Sequence, residues 1–118
     1  MAAINASRAD EHLMPLAVDP RLNGAAEEKL DDMLRRGYFD HKNPEGKYVW
    51  DTLSRRCAFH MSAENLARGI SDAGAMEKSW MSSPPHRENI LNPVYQLTGI
   101  AVSQNPPTAV VLFADTCG

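Results

Sequence analysis

The segment from Asp19 to Gly37 constrains this chain most, because it carries a helix start, a helix stop and a single apolar face between them. Asp19 is an N-cap residue, Pro20 fits the first helical position where no N–H is needed, and Gly37 suits a left-handed stop. Between these signals Leu22, Ala25, Ala26, Leu30, Met33 and Leu34 recur at steps of three and four residues. That spacing predicts a helix with one buried side, which requires another layer to bury it against. The last quarter supplies the layer: Tyr95 to Ser103 and Thr108 to Cys117 are rich in β-branched and apolar residues, with Gln104 to Pro107 as a connecting hairpin loop. Helices first and a sheet later predict an α+β layered domain.

The remaining elements are shorter. Ile4 to Leu13 suits a helix that stops at the Met14-Pro15 step. Tyr38 to Tyr48 reads as a loop around Asn43-Pro44-Glu45-Gly46, followed by a helical turn from Trp50 to Arg55 and an extended piece at Ala63 to Ala67. From Ser71 or Asp72 a further helix is expected, with Ala73, Met76 and Trp80 facing inward. Pro84-Pro85 is read as its end, and a loop continues through His86 to Pro93. With 118 residues and no repeat or linker, residues 1–118 form one domain.

A formal net charge of -3 leaves no excess of cations to displace counterions from a polyanion, so nucleic acid is not an expected partner. No apolar run approaches the ~18 residues of a membrane span, and the first twelve residues lack the charged, apolar, small-residue order of a signal peptide. Cys57 and Cys117 have no CxxC spacing. They are either one disulfide closing a loop of about 60 residues or two buried thiols.

Among four histidines, His41 and His86 sit beside polar and turn-forming residues, whereas His12 and His60 fit a surface or core-edge role. Glu64 lies in the small, apolar stretch Ala63-Glu64-Asn65-Leu66-Ala67, where a buried carboxylate needs a partner. A cluster of His41, Glu64 and His86 would provide it; alternatively Glu64 accepts main-chain hydrogen bonds and the histidines are structural. HExxH, the Gly-x-Ser-x-Gly elbow and a phosphate-binding glycine loop are absent.

Several segments together carry a family pattern: Asn5-x-x-Arg8, Pro15-Leu16, Gly37-Tyr38-Phe39-Asp40-His41, Ala63-Glu64-Asn65-Leu66-Ala67, Trp80-Met81-Ser82-Ser83-Pro84-Pro85-His86-Arg87, Asn89-Ile90-Leu91 and Gly99-Ile100-Ala101-Val102. In order and spacing they resemble the bacterial SCP-like extracellular members of the CAP superfamily, the cysteine-rich secretory, antigen 5 and pathogenesis-related 1 proteins. The resemblance implies an α-β-α sandwich with a central antiparallel sheet, and a surface cleft holding two histidines and two acidic residues. Carried over, His41, Glu64 and His86 match three of these. Serine stands at the second acidic position, in Trp80-Met81-Ser82-Ser83, and Glu88 is the residue that could approach His86 from its other side.

The resemblance further implies a monomeric, exported protein, secreted or periplasmic, whose natural form carries a signal that this chain lacks. The expected function is that of a non-catalytic or weakly active domain whose cleft, formed by His41, Glu64, His86 and Glu88, binds a small ligand or a divalent metal ion such as zinc through His41 and His86. Lipid and cell-wall or other extracellular material are further expected partners. A metal- or serine-dependent, peptidase-like hydrolase using Glu64, His86 and Ser83 is one alternative, and a non-catalytic interaction module is the other.

Overall fold

A computed structural model describes residues 1–118 as five helices and four strands. In chain order these are α1 (Ala2–Asp10), β1 (Ala17–Val18), α2 (Pro20–Arg36), α3 (Trp50–Ser54), β2 (Ser62–Arg68), α4 (Ala73–Met81), α5 (Pro84–Leu91), β3 (Leu97–Gln104) and β4 (Pro107–Ala114). The sheet order is β1-β3-β4-β2, so β4 is central and β2 lies at an edge. β4 is buried along almost its whole length, which explains why it reads as a continuous apolar run rather than an alternating one.

Two cores lie on the two faces of this sheet. Val110, Leu112 and Ala114 of β4 join Leu66 of β2 and the apolar face of α2 in one. Ala109, Val111 and Phe113 join Ala63, Ala67, Trp80 of α4, Ile90 of α5 and Ile4 of α1 in the other. The expected α-β-α sandwich is therefore present, with α2 and α3 on one side and α1, α4 and α5 on the other.

The α2 boundaries follow their signals. Asp19 accepts a hydrogen bond from the Arg21 N–H at 2.8 Å, and Gly37 adopts φ 68°. α2 crosses β3 at Gly99, where a Cβ would collide with the Leu22 carbonyl carbon and the Asn23 nitrogen. At this crossing the Asn23 side-chain oxygen accepts from the Ile100 N–H at 2.9 Å. Arg8 is buried on the other side of the sheet. Its guanidinium donates to the carbonyls of Met14, Ile90, Asn92 and Tyr95, tying α1 to the end of α5.

The structure corrects several expectations. The sheet is mixed rather than wholly antiparallel, because β1 runs parallel to β3, pairing Ala17 with Leu97 and Val18 with Thr98. Asn5 holds Leu16 by its N–H and its carbonyl, which lays this short segment along β3 before α2 begins. His86 is on a helix, not in a loop. Pro84 and Pro85 occupy the first turn of α5, where missing N–H groups cost nothing, and the Arg87 N–H reaches the Ser83 carbonyl at 2.9 Å. Ala73 is exposed rather than inward, and Leu34 is 40% exposed while Lys29 takes a buried place on α2. Helix α1 ends at Asp10, three residues short of Leu13; β3 begins at Leu97 and β4 ends at Ala114.

The cysteines form one disulfide, Cys57–Cys117, across 60 residues. Beside it Ala58 and Gly118 exchange two main-chain hydrogen bonds, at 3.0 and 2.7 Å, so the end of the chain is fastened to the segment after α3.

Candidate functional site

The loop after α2 is fixed before it reaches His41. The Tyr38 hydroxyl donates to Asp32 at 2.6 Å, the Lys29 ammonium lies 5.1 Å from the centre of the Tyr38 ring, and Arg36 pairs with Glu45 at 2.6 Å. Asn43 then closes the turn by accepting from the Glu45 and Lys47 N–H groups. Lys29 is 6% exposed and donates to the His41 carbonyl at 2.8 Å. Burial pushes its pKa down, opposed by the charges of Glu64, Asp32 and Asp40.

Strand alternation on β2 sends Glu64 and Leu66 to the α2 face and Asn65 to the α5 face. The Glu64 side chain is 1% exposed, and its Oε1 lies 2.8 Å from His41 Nδ1. Its other oxygen, Oε2, is buried without a hydrogen-bond partner. The His41 ring is 47% exposed, so a carboxylate sealed in the protein holds an imidazole open to solvent. The hydrogen bond to Glu64 raises the His41 pKa, with burial acting against it.

Asn65, wholly buried, docks α5. Its amide donates to the His86 carbonyl at 3.2 Å, and its oxygen accepts from Asn89 at 2.9 Å. His86 in turn places Nδ1 3.0 Å from Ser83 Oγ, and burial followed by the charge of His41 lowers its pKa. Glu64 is hydrogen-bonded to His41 and Ser83 to His86, so hydroxyl, imidazole and carboxylate do not form one relay. Glu88 is exposed and makes no ion pair or hydrogen bond with His86.

Between these elements lies an open cleft of about 560 Å³, bounded by His41, the Tyr48–Trp50 pair, Ser62 to Glu64, and Asn89 with Tyr95. Tyr48 and Trp50 stack with ring centroids 6.1 Å apart. On α5 the residue lining this cleft is Asn89, one turn beyond His86. A smaller apolar cavity, about 170 Å³, lies between α1, α4 and β3 and holds Glu77 but no histidine. Of these two, the larger holds the His41–Glu64 pair.

Sequence reasoning missed Lys29, Asn65 and Asn89 as parts of this arrangement. Lys29 had a readable signal: it stands four residues after Ala25 and four before Met33, on the apolar stripe of α2. Two imidazoles are available to a divalent ion, but no group of three or more His, Cys, Asp and Glu side chains is arranged to hold one. Two imidazoles fall short of the three protein ligands usual in catalytic zinc sites.

A three-layer domain with a histidine–carboxylate pair at the edge of its sheet defines the structural class. The chain belongs to the CAP, or cysteine-rich secretory protein, family, whose pattern matches residues 1–114. It is 36% identical over 97 residues to the uncharacterized protein YkwD of Bacillus subtilis, a match covering 81% of this chain and 38% of that protein. An extracellular protein containing an SCP domain from Bacillus anthracis superposes with TM-score 0.88 at 29% identity, over 96% of this chain and 38% of that one. An outer surface protein of Borrelia burgdorferi shares the fold, with TM-score 0.88 at 24% identity over 96% of this chain and 86% of that one. This chain thus spans less than two fifths of YkwD and of the B. anthracis protein. No helix is long and apolar enough to cross a membrane.

Proposed function

We propose that the domain works outside the cytoplasm as a binding module, and that a small ligand or a divalent ion binds through Nε2 of His41, in the cleft, and of His86, one turn of α5 before the cleft-lining Asn89. The observation that carries this is the way both histidines are held. Each engages Nδ1 with a protein group, Glu64 for His41 and Ser83 for His86, and each keeps Nε2 for something else. This is the arrangement by which outer groups orient ligand histidines. A zinc ion held there would act as a Lewis acid and a bridge to an anionic or carbonyl-bearing ligand. That Ser83 bonds to His86 while Glu64 bonds to His41, so that no single hydroxyl–imidazole–carboxylate relay forms, supports binding over serine-dependent hydrolysis. The disulfide and the extracellular B. anthracis relative support export.

Calorimetric titration of chelator-treated protein with Zn²⁺, beside the His41→Ala/His86→Ala variant, tests this reading. We expect about one ion per chain in the parent, no measurable binding in the double variant, and about tenfold weaker binding in Glu64→Gln. Equal affinity in parent and double variant would sink it.

A further inference from the structure

We infer that the cleft receives an extended peptide segment of a partner protein, which adds as a further strand to the free edge of β2. The inference rests on the reading of the cleft as a binding site and names the chemical class of its occupant.

The phase of the β2–β4 ladder fixes which main-chain groups are free. Just before β2 the Met61 carbonyl accepts from the Asp115 N–H at 3.1 Å, and just after it the Gly69 N–H donates to the Pro107 carbonyl at 2.8 Å. The register between them is continuous from Ser62↔Ala114 to Arg68↔Thr108. In an antiparallel pair alternate residues exchange both hydrogen bonds with one neighbour. Ala63, Asn65 and Ala67 therefore bond to β4, and Ser62, Glu64 and Leu66 turn N–H and carbonyl outward.

Trp80 agrees with this phase, since its indole N–H donates to the Leu66 carbonyl at 3.0 Å and closes the edge at that end. At the other end nothing in the protein does so. No main-chain group of Ser62 or Glu64 bonds to any segment outside the sheet, and Ser62 to Glu64 border the open cleft. The partly buried main chain there lacks the partners that such groups need.

A second backbone in extended form is the natural complement to such an edge. The cleft walls stand on opposite faces of the sheet: Trp50, stacked on Tyr48, packs against the α2-side core, whereas Tyr95 belongs to the other core and Asn89 bonds to Asn65 on that face. Alternate side chains of an added strand would meet these two walls in turn. Asp40 and Glu64 are matched against Lys42 and His41 around the cleft, so its charge is close to balance and the main chain leads recognition.

The test uses ¹⁵N-labelled protein and a mixed-sequence tetrapeptide pool as the probe. We expect the Ser62 and Glu64 amide signals to shift and their hydrogen exchange to slow, and the same pool N-methylated at every residue to do neither. Ser62→Pro removes an outward N–H without touching the β4 ladder and should bind about tenfold more weakly.

Three results would overturn the inference: no response at Ser62 and Glu64 at millimolar pool, an equal response to the N-methylated pool, or a response to an N-acetylglucosamine tetramer with none to peptide. Should Ser62→Pro not fold, the N-methylated pool still decides. Zn²⁺ binding retained with no peptide response defeats this inference alone, while loss of both defeats the binding-site reading as well.

Discussion

At the scale of single residues the centre of the site is an exposed histidine tied to a sealed carboxylate. Because the Glu64 hydrogen bond favours the imidazolium form, the folded His41 pKa lies above its ordinary value. The sign of the linkage follows: the pair's stabilising effect is complete below the unfolded pKa of about 6.5 and is lost as pH rises through the raised folded value. His86 is shifted the opposite way, by burial and by the charge on His41. An NMR titration of chelator-treated protein should find His41 titrating above His86. In Glu64→Gln the His41 value should fall back toward that of a free imidazole; a value unmoved by that substitution would show that Glu64 does not govern its protonation.

At the scale of elements, legibility depended on whether the controlling interaction was local. α2 was readable because its cap, its proline and its glycine all lie within its own segment. β1 was not, since two residues carry no periodicity and their place comes from Asn5 and β3. α5 was misread because a proline pair ends one helix and begins another with the same chemistry. His41 and Glu64 could be singled out individually, but their contact spans 23 residues and depends on how the sheet places β2. Gly99 belongs with the second kind: its need for hydrogen at Cα is set by α2 crossing above it. Gly99→Ala should destabilise by about 2 kcal/mol or more, because the obstructing atoms are the Leu22 and Asn23 main chain and neither can swing aside. Denaturant unfolding would measure this, and a loss below about 0.5 kcal/mol would mean that α2 can lift away from β3.

At the scale of the whole molecule, the question is what holds the site's separate pieces in one arrangement. The cleft draws on the α2–α3 loop, the β2 edge and α5, so its geometry is set by the docking of all three on the sheet. Cys57–Cys117 fastens the end of the chain beside the segment leading from α3 into β2. Closing a loop of that length removes enough freedom from the unfolded chain to contribute roughly 4 kcal/mol on the entropic account, a large share of a small domain's stability. Reduction, or Cys57→Ser with Cys117→Ser, should therefore lower Tm by well over 10 °C, about what several kcal/mol represent in a domain of this size. Below the lowered Tm the His41 imidazole signal and the Zn²⁺ affinity should stay near those of the parent, because the bridge takes no part in the hydrogen bonds that hold His41 and His86. A large fall in Tm with an intact site would assign the bridge to global stability, whereas loss of the site at temperatures where the chain remains folded would make it a positioning element for the cleft.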